Sequence, residues 1–199
     1  MSGLKIEWKI LFEMYAKKRY KTCLEIGAST KWKTDALARN SEKVTGIELF
    51  LDRMPLDNNN IKYICGDWVT LTEHTGSNVF DVVVSCHVIE HIEKDLIAIN
   101  QLYHALKAGG LAFITTPNRK RLIRRIIEIF TGPRIFPHWE HVREYDFIDI
   151  TELIERSLFE SAEVVPCGLG FHTRWFQCYI QCPILLKDFA AVWLIKLKK

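Results

Sequence analysis

Apolar positions along this chain fall into two rhythms that take turns. Leu4, Trp8, Leu11 and Tyr15 recur at intervals of three and four, the spacing of an amphipathic helix. Cys23, Leu24 and Ile26 then form a short apolar run that ends at Gly27, with Thr30 placed to cap a helix continuing through Ala36 and Leu37. A second strand is predicted over Lys43–Leu49 and a third over Ile61–Cys65, which runs into Gly66 and Asp67. Phe80–Cys86 is unbroken and rich in β-branched residues, as suits a strand buried on both faces. Helical spacing returns from Asp95 to Lys107 and stops at Gly109–Gly110, and Leu111–Thr115 reads as a fifth strand closed by Pro117. Helical spacing is also read over Asn118–Phe130 and over Pro183–Lys199. Strands alternating with helices through short connections predict an α/β fold, a doubly wound, mostly parallel sheet with helices on both faces.

Composition narrows this picture only a little. At 199 residues, 48% hydrophobic and 26% charged, the chain is long and apolar enough for one globular domain and unlike a disordered one. A single domain over 1–199 is expected, since no repeat or low-complexity tract divides it. The net charge of +3 is too small to argue for nucleic acid alone. No secretory pattern opens the sequence, and the six cysteines form no CxxC pair, so reduced, buried thiols and a cytoplasmic location are expected.

The predicted strand ends carry the chemistry. Glu25, Glu48, Asp67 and the Ser85–His87 segment all fall where ligands bind in an open α/β sheet, beyond the carboxyl ends of the strands. A carboxylate beside the Gly27 turn would repel a pyrophosphate, and Trp32 stands where a dinucleotide fingerprint needs glycine. A cationic, hydroxyl-rich nucleoside suits the pattern better. S-adenosylmethionine is such a ligand: it has a sulfonium, an ammonium, a ribose and an adenine, and no phosphate.

The stretches LEIGAS, GIEL, CGDW, FDVVVSCHVIEHI and LKAGGLAFITTPN, in that order from Lys21 to Phe171, resemble the class I S-adenosylmethionine-dependent methyltransferases, in particular the small type with a V-x-E-H helix after strand four. The resemblance implies a Rossmann-like fold and a methyl transfer from S-adenosylmethionine. It implies that Glu25 and Gly27, with Ser29 in the same turn, contact the amino-acid part of the cofactor. Glu48, with Leu49 beside it, would bind the ribose hydroxyls. Asp67 would meet the adenine amino group, with Trp68 supplying backbone or a ring face. Cys86 and His87 would line the floor near the methyl group. The turn departs from the family's usual G-x-G-x-G, reading Gly27-Ala28-Ser29-Thr30-Lys31, and Lys31 is placed to pair with the ligand's carboxylate.

The acceptor is less determined. His87, Glu90 and His91 share one face if they lie on a helix, and FPHWEHVREY later supplies His138, Glu140 and His141. Glu90, His91 and His141 brought together form either a proton acceptor beside a substrate hydroxyl or a small site for a divalent metal; alternatively Glu90 and His91 brace the helix. A similar arrangement, E-x-x-E-H, occurs in small-RNA 2′-O-methyltransferases and in quinone-biosynthesis O-methyltransferases; here His87 stands in place of its first glutamate, which weakens the metal reading. Hydroxyl methylation of a small-molecule, glycan or lipid-linked acceptor is the preferred reading, with an RNA terminus as an alternative. A lid is expected around 118–148. NRKRLIRRIIEIF and the basic amphipathic helix over 183–199 are suited to a peripheral membrane contact, at the inner face, or to RNA. A non-catalytic nucleoside-binding or nucleic-acid-binding module is the contrasting class, and the expected assembly is a monomer or homodimer.

Overall fold

A computed structural model describes residues 6–132, 140–172 and 177–199. In chain order the helices are α1 (Ile6–Tyr15), α2 (Lys31–Ala38), α3 (Leu71–Thr75), α4 (Asp95–Ala105), α5 (Leu122–Thr131) and α6 (Phe147–Glu155). The strands are β1 (Tyr20–Ile26), β2 (Ser41–Glu48), β3 (Ile61–Cys65), β4 (Phe80–Cys86), β5 (Leu106–Pro117), β6 (Ala162–Cys167), β7 (Leu169–His172), β8 (Gln177–Ile180) and β9 (Val192–Lys198). Short 3-10 turns lie at Leu51–Arg53, Trp68–Thr70, Ile89–His91 and Ile184–Phe189.

Seven strands form one sheet in the order β3-β2-β1-β4-β5-β9-β6, and β7 and β8 pair as a separate hairpin. The first five strands run parallel, while β9 is antiparallel to both β5 and β6. Alternation along the strands supplies two cores. Leu24, Ile26, Ile47, Val83, Ile114 and Trp193 pack against Ile99 and Leu102 of α4 and Ile150 of α6. On the other face Cys23, Val44, Val82, Val84, Phe113 and Leu194 pack against Trp8, Leu11 and Tyr15 of α1 and Leu37 of α2. The helix after β1 and the helix after β4 thus cover opposite faces, which opens a crevice at the carboxyl ends of these two adjacent strands.

Several expectations are corrected. Residues 183–199 do not form an amphipathic helix: after the 3-10 turn, Val192–Lys198 is a strand between two others. Its β-branched and aromatic residues hydrogen-bond on both sides and bury Trp193, Leu194 and Leu197 completely, which outweighs the helical spacing of the leucines. His87, Glu90 and His91 do not share a helical face. His87 takes a left-handed conformation (φ 57°) and precedes the 3-10 turn that carries the other two. Thr30 occupies the N-cap of α2 without a capping side-chain bond. The helix from Asp95 ends at Ala105, and β5 begins at once. Cys65 is exposed rather than buried, whereas Cys23, Cys86, Cys167 and Cys182 are buried thiols.

Candidate active site

The crevice begins at the tip of β1. Glu25 is paired in register with Gly46 and Val84, so it sits at the middle of the sheet and is buried. Its Oε2 has no hydrogen-bond partner among the described residues. Burial pushes its carboxyl up to about 7; the Thr34 hydroxyl and the Lys33 charge oppose the rise, and Glu48 adds to it. The chain then turns at Gly27 (φ 77°), whose N–H donates to the Ile47 carbonyl at 2.9 Å. A Cβ at this position would stand 2.5 Å from Val88 Cγ2, so the turn and the segment after β4 approach each other only because glycine is there. Ser29 is exposed, and Lys31 is engaged with Asp35 at 2.9 Å instead of facing the crevice as a free cation.

At the tip of β2 the Glu48 carboxylate is buried and accepts the Phe50 N–H at 3.3 Å; Leu49 and Phe50 next to it are exposed apolar surface. Beyond β3, Asp67 caps its 3-10 turn by accepting the Val69 N–H at 2.9 Å. Trp68 packs in the core with no partner for its indole N–H among the described residues, so its ring is not open to a ligand and only its backbone is on offer. At the tip of β4 burial pushes the Cys86 thiol up to about 12, which keeps it neutral. The His87 ring lies between two carboxylates, with Nε2 3.6 Å from Glu7 Oε1 of α1 and Nδ1 3.3 Å from Glu90 Oε1. Burial lowers the His87 pKa, but the two carboxylates outweigh it and the net shift is upward.

A second cluster faces the tip of β4. Backbone N–H groups of Val142 and Arg143 donate to the Glu90 carbonyl (2.9 and 3.2 Å), which staples residues 140–145 beside the 3-10 turn. Glu90 itself is fully buried and accepts the Thr116 hydroxyl at 3.2 Å. His91 Nδ1 lies 2.9 Å from the Glu140 carbonyl, so Nδ1 is the protonated nitrogen. The His91 and His141 rings meet edge to face with centroids 4.8 Å apart. The structure brings Glu90, His91 and His141 together, a meeting that residue type and not spacing suggested, while His138 lies outside the described residues. Their potential ligand atoms all lie within 4.8 Å of one another, a looser triangle than the ~3.4 Å separations of a tetrahedral zinc site with bonds of about 2.1 Å.

Sequence reasoning missed Glu144. Its buried carboxylate lies 3.1 Å from His141 Nδ1 and 2.8 Å from Arg121 Nη1, and it also pairs with Arg124. Burial raises the Glu144 pKa, but Arg121, Arg124 and His141 together hold it below the usual carboxylate range. Burial likewise lowers the His141 pKa, partly offset by Glu144 and Glu90. The one signal in the sequence was the i, i+3 spacing of His141 and Glu144. The cations of the basic stretch are largely spent inside the molecule: Arg119 on Glu128 (3.0 Å), Lys120 on Asp146 (2.7 Å), and Arg121 and Arg124 on Glu144.

A family model described as a methyltransferase domain matches residues 7–160. The chain is similar to the ubiquinone biosynthesis O-methyltransferase of Glaesserella parasuis, 29% identical over 184 residues, which cover 81% of this chain and 75% of that protein. It is also similar to the mitochondrial ubiquinone biosynthesis O-methyltransferase of Rattus norvegicus, 31% identical over 110 residues, covering 50% of this chain and 31% of the relative; the match spans under a third of that protein's length. A SAM-dependent methyltransferase from Archaeoglobus fulgidus shares the fold with a TM-score of 0.69 at 12% identity, over 97% of this chain and 91% of that one. With the methyltransferase-domain model matching residues 7–160, and the fold shared with a SAM-dependent methyltransferase over nearly the whole chain, this chain belongs to the methyltransferase-domain family, as a class I S-adenosylmethionine-dependent methyltransferase.

Proposed function

We propose that the chain methylates a hydroxyl of a small-molecule or lipid-linked acceptor, with His141 as the group that removes the proton. When bound, S-adenosylmethionine supplies an already activated methyl group, so the protein's work is to position the acceptor and to give its proton a destination. The strand tips fit such a cofactor. Glu25 carries a buried, unpartnered oxygen and a carboxyl raised by burial, a combination that a cationic ligand relieves. Glu25 would hold the cationic amino-acid end, and Glu48 the ribose hydroxyls. Asp67 would take the adenine amine, with Leu49 and Phe50 as apolar edges. Gly27 lets the backbone come close.

The observation that carries the proton-transfer role is the His141–Glu144 contact. Glu144 fixes the proton on Nδ1 and leaves Nε2 as the basic nitrogen, while burial lowers the pKa and keeps the imidazole neutral near pH 7. His91 beside it is held in the corresponding tautomer by the Glu140 carbonyl. Two relatives named as ubiquinone biosynthesis O-methyltransferases support an oxygen acceptor of this kind.

The test is methyl transfer from tritiated S-adenosylmethionine into fractionated cell extract. Label in the small-molecule or lipid fraction, retained under conditions that hydrolyse methyl esters, is the expected result. Label confined to RNA or protein would sink the acceptor assignment. Separately, calorimetry should show S-adenosylmethionine binding that Glu48→Ala abolishes; absence of binding even at saturating ligand would remove the cofactor site.

A further inference from the structure

Helix α5 is turned the opposite way from an ordinary surface helix. Its polar stripe, Arg124 and Glu128 with Arg121 at the N-cap, points inward, and Arg124 is only 5% exposed against Glu144. Its apolar side is half-buried at Leu122, Ile123 and Ile126 and opens to solvent toward the C-terminal end, where Ile127 is exposed, Ile129 is 77% exposed and Phe130 82%. Buried ion pairs to Glu144 fix this orientation, because rolling the helix over would strand Arg124 and Glu144 without each other. The outward face continues onto neighbouring elements. α5 packs on β7, whose hairpin partner β8 presents exposed Ile180. The Arg125 guanidinium lies 5.1 Å from the Phe189 ring centroid, which ties α5 to the 3-10 turn bearing exposed Ile184 and Leu185, the latter 93% exposed.

We propose that this surface, formed by Ile127, Ile129 and Phe130 with Ile180, Ile184 and Leu185, docks on a phospholipid bilayer. Two features favour a bilayer over a second copy of the chain. The apolar side chains project as separate knobs from a helix, a hairpin and a turn; such knobs enter a soft medium directly, whereas a protein partner must offer a matching pocket for each. Arg125 and Lys187 rest on the rings of Phe189 and Phe147 (5.1 and 3.9 Å) and have no carboxylate partner among the described residues. Cations on aromatic supports at the rim of an apolar patch complement phosphate headgroups. No helix among the described residues is long and apolar enough to cross a membrane, so the contact is peripheral. The docking face and His141 are joined through Arg121, Arg124 and Glu144, which brings the acceptor cleft to the membrane edge. That last step rests on the proposed acceptor chemistry; the docking itself does not.

The experiment is cosedimentation of the full chain with phosphatidylcholine vesicles, with and without phosphatidylglycerol. S-adenosylmethionine calorimetry and analytical ultracentrifugation run alongside. Wild type should bind, more strongly with the anionic lipid. The double substitution Ile129→Asp, Phe130→Asp, at exposed positions, should weaken binding by about tenfold or more while cofactor binding stays unchanged. Arg125→Glu should remove the preference for phosphatidylglycerol. Vesicle binding without methyl transfer to any fraction would support docking and count against the activity proposed above. Failure of wild type to bind either vesicle, or undiminished binding by the double variant, would overturn the proposal. So would concentration-dependent self-association that the double variant abolishes in a chain that ignores vesicles.

Discussion

Replacing Glu144 with glutamine tests whether the second cluster is a proton-transfer device or a structural brace. The glutamine amide keeps an oxygen that accepts from His141 Nδ1, but the charge that Arg121 and Arg124 neutralise is gone. Hydrogen bonds to charged groups contribute about 1.5–3 kcal/mol, so losing the charge assistance on His141 should lower kcat by about 10- to 100-fold. KM for S-adenosylmethionine should not change, because the partners of Glu144 are Arg121, Arg124 and His141 and not the strand-tip carboxylates. Folding stability should also fall, by roughly 3 kcal/mol, since Arg124 is left buried beside a neutral partner. Rates are therefore measured below the onset of unfolding, established by circular dichroism for each variant. The pH profile separates catalysis from stability. The Glu144 carboxylate raises the His141 pKa against the larger lowering by burial, so its removal lowers that pKa further. A base works in its neutral form, and the rate rises with pH through its pKa; the acidic limb of the kcat profile should thus move to lower pH in Glu144→Gln while the plateau drops. A limb that stays put, or moves to higher pH, with kcat unchanged, would refute the role given to His141.

Glu25→Gln should weaken S-adenosylmethionine binding yet stabilise the ligand-free chain. A carboxyl raised from 4.5 to about 7 by burial costs the folded state stability above the unfolded pKa, so between about pH 4.5 and 7 stability falls as pH rises. The substitution should recover roughly 3 kcal/mol at pH 8 and nothing at pH 4, read from denaturant midpoints at both pH values. Gly27→Ala, with φ at 77° and Val88 Cγ2 in the way, should lower Tm by an amount equivalent to about 1–3 kcal/mol and impair cofactor binding in calorimetry. Lys31→Ala should leave cofactor affinity within about twofold of wild type, because its ammonium is committed to an exposed pair with Asp35; a large loss would mean that the pair opens when the ligand arrives. Thorough chelation should leave turnover intact, and loss of activity restored by a divalent ion would show that Glu90, His91 and His141 close around one.

Much of this architecture is legible in the sequence because strand ends carry a polar residue after an apolar run. Glu25, Glu48 and Asp67 could be placed at strand tips from that alone, and the structure puts them there. The meeting of His91 and His141 was suggested by residue type and is achieved by the Glu90 carbonyl, a backbone group that no side-chain pattern reveals. Glu144 was overlooked because, beyond its i, i+3 spacing from His141, its meaning comes from Arg121 and Arg124 on a different element. Periodicity showed that α5 is amphipathic, but it cannot tell which stripe faces the protein; buried ion pairs decided that. Val192–Lys198 misled for a related reason: Trp193 and Leu197 are four apart, yet both faces of the segment are covered and only a strand can serve two neighbours at once.

The place of β9 has a consequence for how the chain matures. Among the described residues β6 joins the sheet solely through β9, so during synthesis it has none of these strands to pair with until Val192–Lys198 has been made. Until then β5 also presents an open edge, a template for pairing with other nascent chains. Handling of this protein by the translation machinery should accordingly be sensitive to anything that delays delivery of these seven residues, even though none of them is among the candidate site residues.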